Sequence, residues 1–288
     1  MSLKYPAGIA QAGRSLKLLR NSPWFVSARP TVVHAHSFVG ANIGAGAHVY
    51  GAWAQVVAST SSNVGLICFD GVSAPSPGVD NACMWNIGVG AAGSEQIIVA
   101  DFATGGVSAV GLGAFMPVAI PAGSRVALQV KVARTSLNQR YPNCWLLSTG
   151  ATAYSQTPRS IEVLGVTPAS SKGTALSGAS GSWTEIVAST NKPYQSLFLM
   201  PTLHGTDAAA ISPLRLVLGV GPSGFEVEVG ESISRTTTNE ELAYASSSAP
   251  PSLWHCGPIP AGTRLAVKHN IPSNPAQYGC NIIAVPYA

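Results

Sequence analysis

What this chain has little of narrows its class first. Only 10% of its 288 residues are charged, and acids are scarcer than bases, 12 against 16. Low charge here does not mean disorder, because 46% of the residues are hydrophobic and 30 Gly and 21 Pro supply turns. These numbers describe a compact, turn-rich β protein with a weakly charged surface. No apolar run reaches the ~18 residues of a membrane-spanning helix, so no membrane insertion is expected. The opening MSLKYPAGIAQAGRSLKLLRN interrupts its apolar residues with Lys and Arg, so a secretory leader is not expected and synthesis in a cytoplasm is.

Cys68, Cys83, Cys144, Cys256 and Cys280 are odd in number and include no C-x-x-C pair. That excludes a regular disulfide framework or zinc site, and buried thiols are the expectation. Catalytic arrangements are missing as well. There is no G-x-S-x-G elbow, and no Ser or Cys stands in a context that fixes a base beside it. Neither an enzymatic activity nor a cofactor is expected.

What is present is a repeat. GAWAQVVAST at 51–60 returns as GSWTEIVAST at 181–190, so Trp53 matches Trp183, and residues 29–51 align with 159–181 without a gap. A third block pairs WNIGVGAAGSEQIIV at 85–99 with LVLGVGPSGFEVEV at 216–229. A fourth pairs IPAGSRVAL at 120–128 with IPAGTRLAV at 259–267. Length and repeat together give two units of roughly 130 residues each. The boundaries fall at 1–28 for an N-terminal basic arm, 29–157 for the first domain and 158–288 for the second.

Each copy reads as about eight short strands separated by Gly, Pro and Ser clusters, with no convincing amphipathic helix. The fold expected is all-β: two tandem antiparallel β-sandwiches, jelly-roll-like, behind the arm. The small-residue segments VGANIGAGA and ASSKGTALSGAS are expected on the surface. Trp53 and Trp183 are expected in the core.

Two motifs invite chemistry and are better read structurally. Gly88-Val-Gly90-Ala-Ala-Gly93 and Gly219-Val-Gly221-Pro-Ser-Gly224 both spell G-x-G-x-x-G, but each leads into β-rich sequence where a dinucleotide site needs a helix. They read as hairpin turns. His34 and His36 have a spacing that metals use, with His48 as a further ligand candidate, but the second copy carries Leu164 and Val166 at the matched positions. No metal is assigned there.

Glu95 recurs as Glu226 and Arg125 as Arg264, which suggests one Glu–Arg pair bridging two strands in each copy. Unshared features mark the candidate contact surface. These are Arg14, Lys17, Arg20 and Trp24 in the arm, and Trp145 and Trp254, which have no aromatic counterpart. Lys4 in the arm and Arg29 just after it add to these, and no acid precedes Asp70. So few scattered charges make a thin case for nucleic acid, whose affinity grows with the number of phosphates neutralised.

In order, the blocks G-x-W-x-x-[VI]-V-A-S-T, G-V-G-x-x-G-x-E and I-P-A-G-[ST]-R resemble a module of structural proteins from tailed bacteriophages and phage-like particles. The resemblance covers nearly all of 29–288, departs at Pro222 and Phe225, and rests on turn and core motifs. It implies a virion component, made and assembled in the host bacterial cytoplasm: a head decoration, spike base, fibre or tail component. Its partners would be other virion proteins and copies of itself. The alternative is an adhesin that binds host-surface glycan through loops such as 73–81 and 232–251.

Overall fold

The computed structural model describes residues 31–36, 41–42, 44–70, 82–104, 113–133, 139–140, 142–148, 161–203, 214–234, 253–254, 258–273 and 275–287. Strands account for almost all of the regular structure. The first repeat contains β1 (Thr31–His36), β2 (Ala41–Asn42), β3 (Ala54–Val57), β4 (Val64–Asp70) and β5 (Cys83–Val89). It continues with β6 (Gln96–Thr104), β7 (Gly113–Ile120), β8 (Val126–Val132), β9 (Gln139–Arg140) and β10 (Asn143–Ser148). The second repeat contains β11 (Glu162–Leu164), β12 (Val166–Thr167), β13 (Lys172–Ala175), β14 (Trp183–Val187) and β15 (Tyr194–Leu203). β16 (Leu214–Val220), β17 (Val227–Ser234), β18 (Leu253–Trp254), β19 (Leu265–His269) and β20 (Tyr278–Pro286) complete it.

In the first repeat one sheet runs β1-β10-β4-β7 and the other β3-β8-β5-β6. In the second, β20 lies between β11 and β15 with β18 beyond, and the other sheet runs β14-β19-β16-β17. Setting aside the two-residue strands β2, β9 and β12 and the inserted β13, each copy has the same connectivity. Its first, last, third and sixth strands share a sheet, and its second, seventh, fourth and fifth share the other. That order is the interlocked pair of Greek keys of a jelly roll, so the chain is all-β with two tandem jelly-roll sandwiches.

The core lies between the sheets. In the first sandwich Phe69 meets Trp85 edge-on, with ring centroids 5.2 Å apart, and Phe102 at 5.8 Å. The Trp85 indole N–H has to leave water, and it donates to Thr104 Oγ1 at 3.0 Å. The aromatic that fills this core is therefore Trp85, and the expectation for Trp53 and Trp183 needs correcting. On β14, Thr184 and Ile186 are buried while Trp183, half-buried, alternates with them and shares its face with exposed Glu185. The two repeated tryptophans lie on the outer face of their sheets.

The small-residue segments lie on the surface only in part: Ala45, Ala47 and residues 177–180 are exposed, but other positions are not. In the second copy Ser171 is fully buried, and β13 pairs with β20 through Thr174↔Cys280 and Ala175↔Gly279. In the first copy Ala41 is buried and β2 pairs with β9. Small side chains that cannot form a core still let one strand lie directly on another, and these segments use that freedom.

Among the described residues Cys68, Cys83, Cys144 and Cys280 are thiols outside any disulfide. Burial, with a smaller contribution from Cys68, pushes the Cys144 thiol up to about 12.

Candidate functional site

The repeated sequence blocks meet at one place in each sandwich. Thr60, at the end of the first block, binds the fourth: its N–H donates to Ser124 O at 2.9 Å and its hydroxyl to Pro121 O at 3.0 Å. Thr190 repeats this with Thr263 O at 2.9 Å and Pro260 O at 2.9 Å. The third block forms the hairpin between β5 and β6, or β16 and β17. Gly90 (φ 119°) and Gly93 (φ 81°) adopt left-handed backbone there, as do Gly221 (φ 120°) and Gly224 (φ 83°). The G-x-G-x-x-G pattern is thus a turn requirement, and it leads into strands β6 and β17.

Arginine joins the blocks. Arg264 reaches Glu226 with Nη1 at 2.7 Å and Glu185 with Nε at 2.7 Å, contacting the third and first blocks at once. Arg125 does the same with Glu95 at 2.7 Å and Gln55 at 3.1 Å. Glu95 and Glu226 lie at the protein surface, yet each side chain is only 2% exposed because the turn and the arginine wrap it.

At Glu95, burial opposes ionisation, but the Arg125 hydrogen bond and two backbone N–H bonds outweigh it and leave the pKa below the usual carboxylate value. Glu226 is lowered in the same way, with burial again the largest opposing cause. A lowered folded-state pKa means the pair's stabilisation is complete above the unfolded value and is lost as pH falls through the folded one. Urea midpoints should therefore drop as pH is lowered below about 4.5, the ordinary glutamate range. The double variant E95Q/E226Q should show a shallower drop; an unchanged slope would mean these carboxylates do not carry it.

The tryptophans pack against this hub. Trp53 lies on Gly88 and Trp183 on Gly219, so close that a Cβ at Gly219 would stand 2.5 Å from the ring. The Lys268 ammonium lies 5.1 Å from the Trp183 ring centroid. Stacking on a sugar requires a free ring face, and Trp183 is already engaged by Gly219 and Lys268.

A second polar cluster belongs to the first sandwich alone and borders the seam between domains. Lys131, its side chain 6% exposed, forms an ion pair with Asp101 at 2.7 Å and lies 4.5 Å over the Tyr50 ring. The Tyr50 hydroxyl donates to the same carboxylate oxygen at 2.7 Å. Burial, and then that hydrogen bond, raise the Tyr50 pKa well above its usual value. Asp101 has a left-handed backbone (φ 53°), and its N–H donates to Asn86 Oδ1 at 2.9 Å.

The seam itself is bonded. Ile161 N–H donates to Ile98 O at 2.9 Å and forms a parallel bridge with Val99 on β6. Asn281 Nδ2 donates to Ala103 O at 2.9 Å, and His48 Nδ1 lies 3.0 Å from Ser171 Oγ. Sequence reading missed Tyr50, Asp101 and Lys131. Asp101 and Lys131 gave one visible signal, charge in a chain that has little of it, and Tyr50 gave none.

Of the other residues singled out, Trp145 is half-buried on β10, with its backbone opposite Ala35 and Cys68. Trp254 lies on β18, opposite Leu197. His34 and His36 lie in β1 opposite Leu146 and Cys144. Arg14, Lys17, Arg20, Trp24, Cys256 and most of the loops 73–81 and 232–251 lie outside the described residues. No cluster of His, Cys, Asp and Glu suited to a metal occurs among the described residues, and no helix there is long and apolar enough to cross a membrane.

The fold and these contacts define a tandem jelly-roll protein. No family model matches the chain, and no curated protein matches it. Among solved structures it is similar to PNGF-II, with 9% identity and a TM-score of 0.42 over 90% of this chain and 66% of that one. It is also similar to N-glycanase F, with 11% identity and a TM-score of 0.36 over 91% of this chain and 97% of that one. At such low TM-scores neither likeness bears on what this chain does.

Proposed function

We propose that this protein is a non-enzymatic structural component of a tailed-phage virion: a head decoration, spike base, fibre or tail component. It is made and assembled in the host bacterial cytoplasm and held to other virion proteins and to copies of itself by its arm and sandwich faces. The observation that supports this reading most is the bonded seam. A main-chain hydrogen bond from Ile161 to Ile98 and the Asn281–Ala103 contact join the two jelly rolls along an edge strand. A linker alone would let them move independently. The repeated polar residues point the same way, since Glu95, Arg125, Glu226 and Arg264 are all engaged in bridging sequence blocks. Two sandwiches bonded to one another, with a weakly charged surface, lose little desolvation energy when packed in an array.

The reading is tested on particles. Antibody-labelled electron micrographs should place the protein at a fixed position on virions, and deletion of residues 1–28 should remove it from them. Unchanged incorporation of the truncated chain would sink the role given to the arm. Particles that never contain the protein would sink the reading itself. Saturable binding of the purified protein to host cells, inhibited by a defined glycan, would favour the adhesin in its place.

A further inference from the structure

The seam shows how one jelly roll of this chain receives another, and among the described residues the second sandwich presents the equivalent edge without a partner strand. In the first sandwich the edge strand β6 takes Ile161, the residue that leads into β11, and beneath it Ile98 keeps only 1% of its exposure. The repeat matches Ile98 to Val229 on β17. Val229 is only half-buried, and β17 pairs with β16 alone among the described residues. Just before it Val227 is 63% exposed and Phe225 79%, where the first copy carries Gln96 and Ser94. With Val220, Pro222 and Ile259 they line a cleft of about 500 Å³. An unpaired strand edge beside exposed large apolar groups is what monomeric β proteins avoid.

We propose that β17 and this cleft bind residues 1–30 of a second copy of this chain, the segment that leads into β1 as Ile161 leads into β11. The proposal rests on the structural-assembly reading above. Charge and shape choose the occupant. β17 itself carries the partly exposed acids Glu228 and Glu231 and no base, their cationic partners Lys268 and Arg215 standing on β19 and β16. Residues 1–30 carry Lys4, Arg14, Lys17, Arg20 and Arg29 with no acid at all. The same segment contains Leu16, Leu18, Leu19, Trp24 and Phe25, side chains suited to an apolar cleft edged by Phe225 and Val227. The contact joins two different surfaces, so it closes as a two-fold dimer if two copies exchange arms and otherwise propagates head to tail into a ring or filament.

Sedimentation equilibrium of the full-length chain at rising concentration should show mass growing beyond the monomer. F225E, at an exposed position where folding is not at stake, should weaken association at least about tenfold. The arm variant K17E/R20E/R29E should weaken it equally. Mixing the two variants leaves one good arm and one good cleft, so a heterodimer should form that grows no further. A monomeric wild-type protein, or a mixture that fails to pair while wild type associates, would overturn the contact. The assembly reading is judged separately by whether virions contain the protein, so a monomeric wild type overturns this contact and leaves that reading standing.

Discussion

Alanine at Gly219 is expected to lower the unfolding free energy by about 2–3 kcal/mol, through overpacking. The added Cβ would stand 2.5 and 2.6 Å from Cη2 and Cζ3 of Trp183, and 3.2 Å from Glu226 Cβ. Moving the ring away would also disturb the Lys268 ammonium, which lies 5.1 Å from its centroid. Gly88 meets Trp53 in the same way at 2.8 Å, so the first sandwich should respond similarly. Gly224 provides the control. Its φ is +83° but nothing lies within 4 Å of its Cβ position, so alanine there carries only backbone strain, about 1 kcal/mol. If the collision is the cause, W183L should relieve it, and the G219A/W183L double variant should show a coupling of about 1 kcal/mol or more in urea unfolding. A G219A protein as stable as wild type, or additive single effects, would rule the tryptophan–glycine contact out as the constraint.

Removing Lys131 should be comparably damaging. K131M leaves the Asp101 carboxylate facing Tyr50 with no cation, where Lys131 now forms a 2.7 Å ion pair and a cation–π contact. Breaking a buried pair on one side costs about 3–5 kcal/mol, and Asp101, its side chain 30% exposed, brings the expected loss down to about 2–3 kcal/mol. Adding D101N should recover part of that loss, because an amide needs no cation while Tyr50 can still donate to its oxygen. Chemical unfolding of both variants measures this directly. If K131M and K131M/D101N are equally unstable, the loss comes from the lysine's packing and not from an unpaired acid. The cluster borders the seam, so a K131M protein in which the two sandwiches unfold in separate transitions would also show that it couples them.

The predictions differ in how far they could be anticipated from the chain alone. The Glu–Arg pair was legible because each partner recurs: in a chain so poor in charge, Glu95/Glu226 and Arg125/Arg264 stand out once the copies are aligned. Its geometry adds what alignment could not, that Arg264 also holds Glu185 and that Arg125 meets Gln55 at the same position. The threonines of the A-S-T ending were visible as a repeat but had no stated purpose. They clamp the I-P-A-G turn, so the two motifs persist together because they are bonded to one another.

The tryptophan reading failed for a definite reason. Apolar alternation gives the period of a strand but not which of its two faces points inward, and a large aromatic biases the choice toward the core. Here the inward face of β14 belongs to Thr184 and Ile186, and Trp183 covers a glycine on the outside. The small-residue segments were placed correctly only in part for the opposite reason: poverty in side chains reads as loop, yet it is also what close strand contact requires.

From sequence alone the chain determined its class and its plan, because hydrophobic period, turn chemistry and internal repetition are local properties that any copy of the chain must express. Those properties settle two similar all-β domains, the left-handed glycine turns and the charged pair. Tertiary structure decided everything that depends on residues far apart in the chain. It placed Trp53 and Trp183 on outer faces, gathered Tyr50, Asp101 and Lys131 beside the seam, set Ile161 on the edge of β6 and, among the described residues, gave the equivalent edge of β17 no partner strand. These are choices of face and neighbour, and a one-dimensional pattern holds no information about which strand will lie beside another until the sheets close.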